Sequence, residues 1–271
     1  MYDVELIRAR LEALADVSTA RKQRQHVRPL RGLRGVPPAE LSRFLVEIYA
    51  AEPCVLPEHD RALRLLFGGA FEDGLLAIGL AAAALPDAPE AALDLSRWWG
   101  EIVDDHATAD ALGWLLVGPG LLATAGEGAG ARLASLRQAP PHRRRVAVAA
   151  VLAALPLPVE GPAAAALRSR LGVKDVVFVE RPLAAVLDPV LRAFHRDEEA
   201  AVRKGVSRAL RTWAVEDPMA AQHFVNSVPG GISKQLRAEF DQGFVRGIKK
   251  MARAAADAEL EAMEDPSADL D

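Results

Sequence analysis

The feature that most constrains this chain is a helical periodicity that runs almost unbroken along it. Apolar residues return every third or fourth position, and short proline- or glycine-bearing breaks separate the runs. A first amphipathic helix reads from Val4 to Leu14, with Leu6, Leu11 and Leu14 on one stripe. The Gly-, Pro- and Arg-rich stretch from Gln25 to Pro38 reads as an ordered basic loop, and Pro38 suits the first turn of the helix that follows. Further helices are expected near 58–68, 71–85, 88–103, 106–118, 127–137 and 142–155, and then near 162–171, 182–195, 198–214, 217–226, 231–241 and 243–256. Only Val176-Val-Phe-Val reads as strand, and it has no partner. Apolar residues are 51% of the chain but aromatics only 5%, with Ala and Leu carrying the difference. That balance favours helices packed closely through small side chains over a β-sandwich.

Helix pairs joined by short loops are the pattern of an α-solenoid, so the expected fold is all-α, a curved solenoid of HEAT-like antiparallel helix pairs. Ala-rich helices beginning near 71, 106 and 142 stand about 35 residues apart, whereas the next equivalent begins near 198. The longer gap implies an insertion around 157–181. One curved domain over 1–256 is expected, with a concave face that suits a long ligand such as a duplex. From Asp257 to Asp271 there are seven acids and no bases, which reads as a disordered acidic tail.

Net charge is −4, which taken alone argues against a polyanionic partner. Without the seven acids of the tail, however, the 33 basic residues outnumber the remaining acids. Three clusters stand out. The span Ser18–Arg34 holds Arg21, Lys22, Arg24, Arg28, Arg31 and Arg34 with no acid, Arg132 to Arg145 holds a second group, and Lys234 to Arg253 a third. They are expected to form one cationic face, against the blander alternative of scattered solvated charge. Charges within the first turns argue against a signal peptide, the apolar run Gly74–Leu85 is too short to span a bilayer, and the single Cys54 fits a reducing compartment. A soluble, cytoplasmic monomer without membrane contact is the expectation.

Five segments in order, beginning at Arg34, Phe71, Asp104, His142 and Val202, together resemble the bacterial AlkD-like DNA alkylation-repair glycosylases. Arg34-Gly-Val-Pro-Pro-Ala-Glu-Leu-Ser-Arg-Phe is similar to that family's "LGV-x-x-P-x-x-R" entry, and Phe71-Glu-Asp-Gly-Leu-Leu-Ala-Ile-Gly-Leu to its "E-x-x-x-x-A-x-x-L" helix. Asp104-Asp-His-Ala-Thr-Ala-Asp-Ala-Leu-Gly-Trp stands where the family carries its tryptophan-and-aspartate helix. His142-Arg-Arg-Arg-Val-Ala-Val resembles "W-L-x-R-A-A-I", and Val202-Arg-Lys-Gly-Val-Ser-Arg-Ala-Leu-Arg-Thr-Trp resembles "V-Q-K-A-I-G-W-x-L-R-E", with Ile232-Ser-Lys following.

The resemblance implies an enzyme that excises purines alkylated at ring position 3 or 7 without flipping the base into a pocket, and that needs no cofactor or metal. A cationic purine is already a good leaving group, so the protein has mainly to stabilise the oxocarbenium sugar and aim a water at it. In the family an aspartate, an arginine and two tryptophans line the cleft. Carried across, the aspartate falls on Asp110 and the arginine, which grips a flanking phosphate, on Arg145; the tryptophan positions fall on His106 and Arg208. Histidine offers less π-surface than indole. Arg208 would repel an oxocarbenium, and is expected either to pair with Asp110 or to bind a phosphate. Contacts to double-stranded DNA (alkylated, distorted or branched) are expected from Arg21, Lys22, Arg24, Arg28, Arg31, Arg34, Arg143, Arg144, Lys204, Lys234, Lys249 and Lys250.

Other motifs carry less. His106 and Asp110 share a helical face, yet no second His or Cys lies at ligand spacing, so no metal is expected. Gly126-Glu-Gly-Ala-Gly lacks the preceding strand and the Lys-Ser/Thr of a phosphate loop and reads as a turn. Trp98, Trp99, Trp114 and Trp213 read as core, and Cys54 as buried. Three functions stay open: an active glycosylase, a relative that binds damaged or branched DNA without cutting it, and a protein-interaction scaffold.

Overall fold

The computed structural model describes residues 2–27, 31–154 and 183–264, and every regular element among them is helical. Helix α1 (Val4–Ala13) starts at Asp3, whose carboxylate accepts hydrogen bonds from the amides of Glu5 and Leu6. Its buried stripe is Val4, Ile7 and Leu11; Leu6, expected on that stripe, faces solvent. Helix α2 (Val17–His26) was hidden from the periodicity because it is polar almost all round. The usable signal was its cap, Asp16, which accepts from the Thr19 amide and the Ser18 hydroxyl.

Prolines in the first turn open α3 (Pro38–Ala51), α4 (Leu56–Phe67) and α6 (Pro89–Ile102). Between the last two lies α5 (Phe71–Ala83), buried on nearly every side. The helix that begins as α7 (His106–Leu112) was expected to stop at Gly118-Pro119. Instead a π-type turn over 113–117, closed by the Gly118 amide donating to the Gly113 carbonyl, passes the chain into α8 (Gly118–Ala125). Then come α9 (Ala129–Ala134), α10 (Pro141–Ala150), α11 (Leu183–Phe194), α12 (Ala200–Glu216), α13 (Pro218–Ser227) and α14 (Lys234–Glu264). Two helices expected over 231–241 and 243–256 are one, since Gly243 and Gly247 are buried and lie close against the α12 backbone. That helix also carries the chain past Asp257, where the acidic tail was expected to begin, as far as Glu264; residues 265–271 lie outside the described residues. So do the expected insertion at 157–181, the helix at 162–171 and the strand-like Val176–Val179.

Helices α5, α7, α10, α12 and α14 each pack against the next, and α4, α6 and α8 do the same. Two apolar clusters meet at α10, where Val146 belongs to one and Ala147 to the other. The first centres on Phe67 and Trp99, stacked with ring centroids 4.5 Å apart; the second centres on Phe194, Trp213 and Phe224. Trp99 and Trp213 are core as expected and Trp114 is half-buried, but Trp98 is 38% exposed with the Arg64 guanidinium 5.0 Å from its ring. The continuous helical run His106–Gln138 is long and apolar enough to cross a membrane by length and composition, unlike the shorter Gly74–Leu85 run, and 44% of its most apolar window is buried within the protein.

Candidate active site and nucleic-acid interface

Three helices converge where the sequence placed the chemistry. Helix α7 is fixed at its start by Asp105, which accepts from the Thr108 amide at 2.8 Å and the Thr108 hydroxyl at 2.6 Å. One turn further on, Asp110 faces Arg145 of the neighbouring α10. Arg145 Nε donates to Asp110 Oδ1, and Nη2 donates to Oδ2 at 2.5 Å. The remaining arm, Nη1, donates at 2.5 Å to the carbonyl of Ala201, at the start of α12. One guanidinium therefore ties α7, α10 and α12 together. The Arg145 side chain is 9% exposed and that of Asp110 28%, so the carboxylate opens to solvent and the guanidinium does not. At an effective dielectric near 20 such a contact pair is worth about 4 kcal/mol before desolvation. Room for it comes from Gly205 of α12, where a Cβ would sit 2.7 Å from Arg145 Nη1.

Arg208 follows Gly205 by three residues and so shares its face of α12, half-buried. Arg208 was expected either to pair with Asp110 or to bind a phosphate; the guanidinium that grips both Asp110 oxygens is that of Arg145. His106 is exposed at the first turn of α7, and the ring of His142, three residues before Arg145, stands 6.1 Å from it at 30°. His142 was not singled out in the sequence, although it lies in the same segment as Arg145. Among the described residues no group of three or more His, Cys, Asp or Glu is arranged to hold a metal ion. Cys54 is buried beside Tyr2, and burial pushes its thiol up to about 11, which keeps it a neutral core residue.

The basic residues divide sharply. Arg21, Lys22 and Arg24 on α2, Lys204 on α12, and Lys234 and Lys249 on α14 are exposed. Arg28 lies outside the described residues. Arg143 reaches Glu101 at 2.6 Å, and Lys250 reaches Glu216 at 2.5 Å, both retaining exposed surface. Three others are committed to the fold. Arg31 bonds Asp104 (3.1 Å), the Phe67 carbonyl (2.5 Å) and Thr108 (3.3 Å), and lies over the Phe67 ring. Arg34 pairs with Asp73 and Glu12, and Arg144 grips Asp197 through Nε (2.8 Å) and Nη2 (3.1 Å). These three guanidiniums, expected to contact phosphates, already hold carboxylates and carbonyls within the protein.

The partners of the basic loop were missed as well. Glu72 and Asp73 are fully buried at the start of α5. Glu72 accepts from the amides of Arg34 (3.1 Å), Gly35 (2.7 Å) and Val36 (3.2 Å), while Asp73 takes Arg8 and Arg34. Two adjacent acids at the head of an otherwise apolar helix were the available signal, because buried carboxylates need partners.

The model of one protein family, described as DNA alkylation repair enzyme, matches residues 7–254. No curated protein and no solved structure shows significant similarity to the chain.

Proposed function

The chain belongs to the DNA alkylation repair enzyme family, and from that premise we propose that it is an N-glycosylase that excises cationic 3- or 7-alkylated purines from duplex DNA without base flipping. The observation that carries this reading is the Asp110–Arg145 fork. A carboxylate oriented through both oxygens by a buried guanidinium keeps lone pairs on its open side for a positively charged sugar and its water. In the reaction the bond from C1′ to the purine nitrogen breaks, and its electron pair leaves with the base, cancelling the base's positive charge. Water adds at C1′ and its proton passes to the Asp110 carboxylate. Arg145 acts here by positioning Asp110, with phosphates left to the exposed Arg21, Lys22, Arg24, Lys204, Lys234 and Lys249.

The side-by-side rows α5–α7–α10–α12–α14 and α4–α6–α8 support a curved HEAT-like solenoid, with the first row as the DNA-facing wall. We place the protein in the cytoplasm as a monomer working without cofactor.

A second reading is favoured by His106 and Arg208 standing at the tryptophan positions: a relative that binds damaged or branched DNA and does not cut it. Without indole faces the site has less to offer a cationic sugar. Release of 7-methylguanine and 3-methyladenine from alkylated duplex separates the two. Release by the wild type that is lost in Asp110→Asn establishes the enzyme; retained binding without release establishes the second reading. Gain of excision in Arg208→Trp would tie the difference to that position. Absence of any mobility shift at low salt, with plain and branched duplexes alike, sinks both.

A further inference from the structure

A cleft of about 470 Å³ has no part in the reading above. Its walls are the loop His195–Glu198 after α11, the Arg203–Ser207 face of α12 and the turn 230–233 that leads into α14. Two buried polar atoms on its lining residues have no hydrogen-bond partner among the described residues, Ser207 Oγ and His195 Nε2. Ser207 is only 6% exposed, so its hydroxyl is not satisfied by bulk water. His195 Nδ1 lies 2.9 Å from the Arg192 carbonyl and therefore carries a proton, which leaves Nε2 as an unpaired acceptor.

The opposite wall is built for close approach. Gly230 and Gly231 have φ of 73° and 72°, the left-handed region that glycine adopts at least cost, and the turn they make brings the amino end of α14 to the cleft. Ser233 satisfies the Leu236 amide (3.2 Å) and its carbonyl the Arg237 amide, while the amides of Lys234 and Gln235 make no hydrogen bond among the described residues. Free amides at the amino end of a long helix favour an anion. Two guanidiniums add to this. Arg196 donates to the Pro229 carbonyl at 2.8 Å and Arg203 to the Glu198 carbonyl, and among the described residues neither guanidinium forms an ion pair. Asp197 is turned away on to Arg144, leaving exposed Glu198 as the one unpaired acid of the lining.

We propose that this cleft binds a phosphate group, seated on the α14 amino end between Arg196 and Arg203, with the Ser207 hydroxyl as a donor at its floor. The phosphate chemistry stands without the glycosylase reading, and only its assignment to a DNA backbone rests on that reading. Titration of the ¹⁵N-labelled protein with inorganic phosphate is expected to shift the amides of Gly230, Gly231, Lys234 and Gln235 saturably. Arg203→Gln, an exposed position, should weaken this roughly tenfold with an unchanged melting curve. Ser207→Ala should weaken it less and raise thermal stability, because it removes an orphaned hydroxyl. If a short duplex shifts the same amides and phosphate competes with it, the source is the DNA backbone. If phosphate binds and the duplex leaves these amides unmoved, the source is free phosphate. Absence of a saturable shift with phosphate, or an equal shift in Arg203→Gln, overturns the proposal. Duplex binding that persists in that case leaves the repair reading intact.

Discussion

Asp110 and Arg145 hold each other as a carboxylate–guanidinium fork, Nη2 to Oδ2 at 2.5 Å, and the third arm of the same guanidinium closes on the carbonyl of Ala201. The residue that carries the proposed chemistry is thus oriented by the residue that joins its helix to the next two. Lysine, a point charge on a flexible stem, cannot reproduce three directed bonds. Arg145→Lys is expected to destabilise the protein by about 3 kcal/mol, because a largely buried pair loses its geometry. Urea denaturation measures this. Adding Asp110→Asn to Arg145→Met should recover part of the loss of Arg145→Met alone, since it removes the uncompensated carboxylate; additive losses would count against the pairing.

Gly205 is where α12 makes room for that guanidinium. A methyl group there would meet Arg145 Nη1 at 2.7 Å and Val148 Cγ1 at 3.0 Å. Gly205→Ala should therefore push Arg145 off its fork and cost about 1–3 kcal/mol, against the gain that alanine gives an ordinary helix position. Chemical denaturation checks the sign, and the side-chain resonances of Arg145 check the cause.

Glu72 holds the loop backbone through the amides of Arg34, Gly35 and Val36. In Glu72→Gln an amide NH₂ replaces one acceptor oxygen among three N–H donors, and one of them is left unpaired in a buried place. We expect a loss of about 2–3 kcal/mol. Hydrogen exchange at Gly35 and Val36 should speed up far more than at the α5 amides. Uniform acceleration would indicate global loosening instead.

Asp16 caps α2, and hydrogen bonds from the Ser18 hydroxyl and then from Thr19 hold its carboxyl down at about 2, from an ordinary 3.8. A carboxyl depressed in the folded state stabilises it fully above the unfolded value and loses that contribution as pH falls through the folded one. The first turn of α2 should therefore fray between about pH 4 and pH 2. Loss of Thr19 amide protection in that window is the measurement, and Asp16→Asn should shift the fraying out of it.

Much of the fold was legible because helix formation is local. Side-chain spacing, caps and first-turn prolines lie within a few residues of one another, and α3 to α7 and α10 to α13 follow them. The failures were local ambiguities of the same kind. A polar helix such as α2 leaves no stripe, and glycines that pack against a neighbour, such as Gly243, look the same in sequence as glycines that end a helix. Gly118-Pro119 read as a stop because nothing nearby announces a π-type turn.

Asp110 and Arg145 were both singled out in the sequence, on motifs in the right order. That they grip each other was decided by tertiary packing, as was the fate of the basic loop. Arg31, Arg34 and Arg144 look like phosphate contacts when counted along the chain, but Asp104, Asp73 and Asp197 lie 73, 39 and 53 residues away from them. Whether an arginine meets a phosphate or a carboxylate depends on which desolvated partner the fold brings within 3 Å or so. The sequence determined the helices and the identity of the charged groups; only the packing of α5, α7, α10 and α12 decided which of those charges are committed within the protein and which stay free for a ligand.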